Sequence, residues 1–431
     1  MYTLAIGDII VGLDVGASKV GCVVGQVNKF SEIEVIGYGL SENVGVKKGI
    51  IIDPPQVAKA IKTTIEQAED TSGLAINSAY VNIKGMNVRI EKVIMESEVE
   101  NSDDGLKIND IYKIFSKIQL STKLSDGEQL IDIIPYIYNV NGREYKEEPI
   151  GAFCKKFSIK ADVVISKGKY VESLIKTLKL ANLKLDGLII ETLATSNIVL
   201  MQEEKQIGVL MVDVGAGHTD ISVYKDSELK FYDTIPIGGD HITNDIALTF
   251  DISTDEAEKL KRQYNLALKA MITNNHEIKF TTIMSKDDKQ IIKCSDLVDV
   301  IEARITEIYQ IIRQMLAQAN MIGNVECMVI TGQGISNIVG VEELAVLTLK
   351  INQVRICSPK LINVIKPQHT TAFGMVRYIS SLSLGKHVNS DVNILTDPSF
   401  KDKIAERFQS FKEKFKNFGK KIKKIDDIDN N

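Results

Sequence analysis

Apolar residues in this chain gather into short runs, and two of those runs end in the same phrase. Ile9, Ile10, Val11 and Leu13 lead into Asp14-Val15-Gly16-Ala17, and Val209, Leu210, Met211 and Val212 lead into Asp213-Val214-Gly215-Ala216. Small polar residues follow each phrase, then a second β-rich run at 20–24 and 221–224. The pattern predicts strand, tight glycine turn, strand, and so two hairpins. Glycine lets a backbone come close to a ligand, and successive turn amides make a nest for an anion. A lone Asp-x-Gly is ordinarily just a turn. Its repetition in matching context, 199 residues apart, points to a duplicated domain clamping one phosphorylated ligand.

The remaining periodicity alternates β-rich runs with amphipathic stretches. A helix is predicted over 54–71, with Val57, Ala60, Ile61, Ile65 and Ala68 on one face, and a strand over 79–83. From 84 to 162 short strands, a helix near 110–118 and a β-rich run over 131–140 ending in Asn141-Gly142 read as an inserted α+β subdomain. A helix over 169–181 and a strand over 185–190 resume the first domain. The second domain opens at Gly208, with three strands to about Pro236 and an inserted piece from Gly238-Gly239. A long helix over 297–321 leads to a third strand-and-glycine turn, residues 328–334, then a helix over 371–381. The domain boundaries expected are 1–83 with 163–206, 84–162, 207–238 with 296–384, 239–295, a polar linker at 385–398, and a final helix at 399–425.

A chain of 431 residues exceeds one core, so at least two domains are expected. Cys22, Cys154, Cys294, Cys327 and Cys357 are scattered without paired spacing, which favours small buried hydrophobes in a reducing cytosol over disulfides or metal. No apolar run reaches 18 residues and the first residues lack a signal-peptide pattern, so an internal location is expected. A P-loop fails for want of Gly-x-x-x-x-Gly-Lys-Ser/Thr, and a dinucleotide fold fails because these glycines lead into strands.

Charge changes the picture only at the end of the chain. The net charge is −5, yet residues 400–425 carry ten basic and three acidic side chains. Phe400, Ile404, Phe408, Phe411, Phe415, Phe418, Ile422 and Ile425 recur every three or four residues, one apolar stripe with lysines around it. A core or coiled-coil helix would show such a stripe too. The phenylalanines, the positive charge and the preceding linker favour a helix lying on an anionic membrane surface. The acidic body argues against nucleic acid.

Two phosphate hairpins and a later Gly-x-Gly turn resemble the parts of the actin-like ATPase superfamily, in order. They are Gly12 to Lys19, the connecting helix at Glu191-Thr192-Leu193-Ala194-Thr195-Ser196, Asp213 to Asp220, the adenosine turn at 331–336, and a second connecting helix at Thr371-Ala372-Phe373-Gly374. The resemblance implies an α/β, two-domain actin-like fold of duplicated ribonuclease-H-like domains, with an inserted α+β subdomain and a C-terminal amphipathic helix. It implies that Gly16, Ala17, Ser18, Lys19, Gly215, Ala216, Gly217 and His218 hold the β- and γ-phosphates of ATP. Asp14 and Asp213 would hold Mg²⁺ through water, since Mg²⁺ dehydrates reluctantly. Gly239, Gly332, Gln333, Gly334 and Ile335 would lie along the adenosine, and Glu258 and Lys261 would face ribose and base. Without the resemblance, that last pair is a plain ion pair.

Within that superfamily the chain is similar to the FtsA family of bacterial cell-division proteins. The likeness rests on the first phosphate motif, on Pro135, Tyr138, Asn141-Gly142 and Pro149-Ile150-Gly151, and on Ile235-Pro236-Ile237-Gly238-Gly239 with Ile242-Thr243-Asn244-Asp245-Ile246-Ala247. It runs from about residue 9 to 378, with the basic tail beyond. It implies an ATP-binding tether of the FtsZ ring, peripheral on the cytoplasmic face of the membrane at the septum. It also implies docking of FtsZ on 239–295, self-assembly into filaments, and other division proteins as partners. Ala216, His218 and Gln333 depart from the family's glycine- and threonine-rich turns, so weak or absent ATP hydrolysis is expected. Competing readings are a pilus-assembly adaptor resembling PilM, a sugar kinase, for which no base is evident, and an activase, for which cluster-binding cysteines are missing.

Overall fold

The computed structural model describes residues 6–30, 32–47, 49–99, 102–282, 289–357 and 367–384. The linker and the Phe-rich stripe at 399–425 lie outside the described residues.

Two five-stranded sheets with one topology organise the chain. In the first lobe β1 (Ile9–Val15), β2 (Lys19–Val27) and β3 (Ile33–Glu42) form an antiparallel meander. A small hairpin follows, β4 (Val46–Lys47) and β5 (Ile50–Ile51). Helix α1 (Pro54–Ser72) then leads to β6 (Ser78–Ile83), which pairs parallel with β1. Asp53 caps α1 by accepting from the Gln56 amide, Pro54 occupies the first turn, and Gly73 ends it in the left-handed region.

The inserted subdomain holds β7 (Val88–Glu98), α2 (Ile108–Ser121), β8 (Glu128–Val140), β9 (Arg143–Tyr145) and β10 (Lys156–Lys167), with sheet order β7-β10-β8-β9. Its strands were expected to be short, whereas β7, β8 and β10 run to 11, 13 and 12 residues. Charged residues on both faces of β7, Arg89 and Glu91 on one and Lys92, Glu96 and Glu98 on the other, break the alternation. Pro135 adds to the effect, and it sits where the β8–β10 register shifts. Asn141 and Gly142 both have positive φ, which closes the β8–β9 hairpin as their order predicts.

Helix α3 (Gly168–Leu180) and β11 (Lys184–Ile190) complete the first sheet in the order β11-β6-β1-β2-β3. Helices α4 (Glu191–Val199) and α5 (Gln202–Ile207) carry the chain to the second lobe. There β12 (Val209–Val214), β13 (Thr219–Lys225) and β14 (Glu228–Ile235) repeat the antiparallel meander. Helices α6 (Gly239–Phe250) and α7 (Thr254–Gln263), with strands β15 (Glu277–Thr281) and β16 (Lys289–Lys293), form the second insertion. Helix α8 (Cys294–Gln318), β17 (Cys327–Thr331), α9 (Val341–Leu349) and β18 (Gln353–Ile356) finish the lobe in the order β14-β13-β12-β17-β18. Position for position, this is the first lobe's strand order.

Helix α10 (Thr370–Leu384) then returns to the first lobe and lies against α4 and β1. Gly374 makes the approach possible, because a Cβ there would run into the Ala194 carbonyl. The Gly12 face of β1 meets the Ala372 backbone in the same way. Each lobe has its own apolar core, around Leu13, Ile61, Val81 and Leu174 in the first and Val212, Ile301, Tyr309 and Ile330 in the second. The cysteines are free; Cys22, Cys154, Cys294 and Cys327 are buried and Cys357 is partly so.

Lys205 of α5 is buried at the base of the second lobe with 8% of its surface exposed. Its ammonium lies 3.4 Å from the Ser196 hydroxyl and 5.2 Å from the centre of the Tyr224 ring. Burial pulls its pKa down to about 8. Between about 8 and its ordinary range the unfolded chain binds more protons, so this residue makes stability rise with pH there, and below about 8 the folded state bears the full cost. Lys205→Met is expected to stabilise the protein by about 1–3 kcal/mol at pH 7, the gain shrinking toward pH 10. Denaturant unfolding at the two pH values checks this, and a loss of stability at pH 7 would contradict it.

Candidate functional site

The two repeated turns face one another across a cleft of about 1050 Å³ between the lobes. In the first, the Gly16 amide donates to the Lys19 carbonyl at 2.9 Å; in the second, the Gly215 amide donates to the His218 carbonyl, also at 2.9 Å. Each turn follows an aspartate near the end of a central strand, Asp14 on β1 and Asp213 on β12. Asn82 of β6 fixes the first turn, its amide donating to Asp14 Oδ1 at 2.7 Å while its carbonyl accepts from the Val15 amide at 2.7 Å.

The third turn packs beneath the second. Gly332 has φ +84°, and a Cβ on it would strike the Val214 carbonyl and the Asp213 carboxylate. The Gly334 amide donates to the Val214 carbonyl at 2.8 Å. The start of α6 closes the other side, with the Gly239 and Asp240 amides donating to the Gly215 and Ala216 carbonyls at 2.9 and 2.8 Å.

The floor of the cleft is a buried charge cluster. Lys84, just after β6, places Nζ 2.5 Å from Glu191 Oε2 and 3.6 Å from Asp14 Oδ1. Burial disfavours its charge, but Glu191 and Asp14 hold its pKa well above the ordinary lysine range. His218 Nε2 lies 3.4 Å from Asp220 Oδ2, and Asp220 raises the imidazole's pKa in spite of its burial. Asp220 also accepts from the Thr234 and Tyr232 hydroxyls. Asp213 has no such partner among the described residues: burial, with Glu191 and Asp220 nearby, pushes its pKa up to about 7. The site thus carries more negative potential than its own cations balance. Ligand atoms of Glu191, His218 and Asp220 lie within 4.8 Å of one another, but Lys84 already supplies the positive charge beside Glu191.

On the opposite wall Glu258 Oε2 accepts from Thr243 Oγ1 at 2.6 Å and pairs with Lys261 at 2.6 Å, while Oε1 accepts from Arg262 at 2.7 Å. Lys261 also donates to the Gly239 carbonyl at 3.1 Å. Ion pair and cleft lining therefore coincide in these two residues.

Asp14, Gly16, Ala17, Ser18, Lys19, Asp213, Gly215, Ala216, His218, Gly239, Glu258, Lys261, Gly332, Gln333 and Gly334 all line this cleft. Gly217 and Ile335 stand apart from the other expected residues. Neither lines the cleft: Gly217 is buried, and the Ile335 side chain is fully buried in the second lobe's core. Lys84 lines the cleft and carries no motif that would have singled it out, whereas Asp220 and Thr243, which also line it, lie in stretches that carry the resemblance but were given no role. Asn82, behind them, is equally silent in the sequence.

A buried ion pair stripped of one member leaves the other charge uncompensated. Lys84→Met is expected to cost about 3–5 kcal/mol in denaturant unfolding. Adding Glu191→Gln should recover part of that loss. A neutral Lys84→Met would show that the carboxylates do not depend on it.

Comparison with known proteins places this geometry in context. Residues 210–374 match the sequence model of the family described as Cell division protein FtsA. The cell division protein FtsA of Bacillus subtilis is 27% identical over 86% of this chain and 83% of its own length. That of Pseudomonas aeruginosa is 28% identical over 80% and 82%, and that of Escherichia coli K12 is 26% identical over 90% and 93%. Among solved structures, a PilM-PilN type IV pilus biogenesis complex aligns at TM-score 0.61 and 16% identity, covering 86% of this chain and 98% of that one. MreB5 of Spiroplasma citri bound to ADP aligns at TM-score 0.56 and 12% identity, covering 88% and 99%. At such identities these structures speak to the fold alone, which is actin-like, whereas the sequence relatives span nearly the whole described body. The repeated sheets, the paired turns and that breadth of sequence likeness together make this chain similar to the FtsA cell division proteins.

Proposed function

We propose that this chain binds Mg·ATP between its lobes and tethers the FtsZ ring to the cytoplasmic face of the membrane at the division site. The observation that carries the nucleotide half is the pairing of two equivalent turns, each behind an aspartate, across one cleft. The residues fit the ligand. Turn amides and Lys19 suit phosphates, the glycines at 332 and 334 leave room for a flat ligand, and the unpaired potential at Asp213 suits a cation. His218 Nδ1, buried with no partner among the described residues, is a further polar group in the cleft lining. Asp14 and Asp213 would hold Mg²⁺ through its waters, and the ion would neutralise phosphate charge. MreB5 of Spiroplasma citri, which shares the fold, has been solved with ADP and with AMPPNP.

Slow turnover also has support in the geometry. Glu191, the carboxylate nearest the facing turns from the connecting helix, is tied to Lys84 at 2.5 Å. A carboxylate held by an ammonium is a poor base for activating water. Nucleotide then acts chiefly as a conformational ligand that favours self-assembly.

The tethering half rests on the likeness to FtsA proteins and on the Phe-rich stripe at 399–425. No helix among the described residues is long and apolar enough to cross a membrane. Each buried Phe contributes roughly 1.5–3 kcal/mol and each Lys at an anionic surface about 1 kcal/mol, enough for reversible anchoring. The second insertion, 239–295, is assigned to FtsZ. A pilus adaptor of PilM type shares the fold, but the FtsA relatives are closer in sequence and the tail has no role in that reading.

Asp213→Ala is expected to weaken Mg·ATP binding by about 10–100-fold, as for groups that hold a metal through an outer shell, with the fold retained. Calorimetric titration checks it, and an unchanged affinity would sink the nucleotide assignment. Phe411→Glu with Phe415→Glu should abolish flotation on anionic vesicles, because two charges would enter the acyl boundary. Replacing Lys420, Lys421, Lys423 and Lys424 with glutamine should weaken flotation on anionic lipid only. Full flotation of a chain ending at Pro398 would refute the tether.

A further inference from the structure

One cross-lobe contact has no part in fixing the turns. Lys19 opens β2 in the first lobe, and its ammonium donates to Oε1 of Gln333, 314 positions later in the second lobe. Gln333 stands between Gly332 and Gly334, so it alone gives that segment a side chain able to reach across. Both residues line the cleft. The glutamine is exposed and the lysine partly so, which puts the bond at the rim, whereas Lys84 and Glu191 lie buried at the floor.

We infer that the Lys19–Gln333 hydrogen bond is a clasp across the mouth of the cleft, and that its opening sets how fast a phosphorylated nucleotide enters and leaves. This rests on the nucleotide reading above. An ammonium has three donors, so one can stay on Gln333 while the others serve a phosphoryl group. A clasp present with and without ligand bars entry and exit alike. It therefore governs rates more than affinity. A single exposed bond to a neutral acceptor is weak enough to open often, which suits a gate and not a lock.

Stopped-flow binding of a fluorescent ATP analogue with Mg²⁺ to the full chain tests this, with Gln333→Met as a near-isostere lacking the acceptor and Gln333→Gly as a second variant. Association and dissociation rate constants should both rise by about two- to tenfold, the range of one such bond, with Kd changing less than about twofold. Unchanged rates would overturn the clasp. Faster dissociation alone, with weaker Kd, would make Gln333 a ligand contact and overturn it equally. Acetylation of Lys19, followed by mass spectrometry without nucleotide, reads the clasp by itself. Burial lowers the pKa of this amine and so favours its reaction, and Gln333→Met should speed the labelling. An unchanged labelling rate would refute the bond's role. If the wild-type chain takes up no nucleotide, the nucleotide reading falls and the clasp stands or falls on the labelling rate.

Discussion

The cleft between the lobes depends on the balance of charge around Lys84. Asp14, Glu191, Asp213 and Asp220 converge there, and burial makes their mutual repulsion costly. One ammonium, 2.5 Å from Glu191 and 3.6 Å from Asp14, offsets much of it. Asp220 is served separately by His218, Thr234 and Tyr232. What remains is concentrated at Asp213, whose pKa is raised to about 7. This much acid at one place is the surrounding that the proposed cation would need, and the facing turns would serve the anion that brings it.

The same constraint explains why the lobes must meet closely. Gly85, next to Lys84, sits where a Cβ would strike the Tyr232 and Thr234 hydroxyls and Asp220. Two connecting helices, α4 and α10, touch through Gly374 and Ala194. Small residues at both points let the first lobe's charge reach the second lobe's acids. The duplication supplies the symmetry, and these contacts turn two similar lobes into one site.

Much of this was legible in the sequence because its signals are local. A run of apolar residues ended by Asp-x-Gly encodes a strand and its turn together. The helix over 54–71 and the Asn141-Gly142 hairpin likewise declare themselves by period and turn chemistry. Lys84, Asn82 and the link from Lys19 to Gln333 were not legible. A lone lysine after a strand has no pattern, and its significance comes from carboxylates distant in the chain on either side, Asp14 and Glu191. The burial of the Ile335 side chain was not legible for a related reason, since a turn's sequence does not say which of its residues face the cleft. The length of β7 was hidden by charges on both of its faces, and that of β8 by Pro135 at its register shift. The Phe-rich stripe remains an argument from spacing and charge.

The central claim is that the three turns act as one ligand-binding surface. Hydrogen–deuterium exchange of the full chain, with and without Mg·ATP, tests it most directly. The amides of 16–19, 215–218 and 332–334 should slow together on adding nucleotide, while the inserted subdomain at 88–167 changes little. Protection of one turn alone, or of none, would contradict the account.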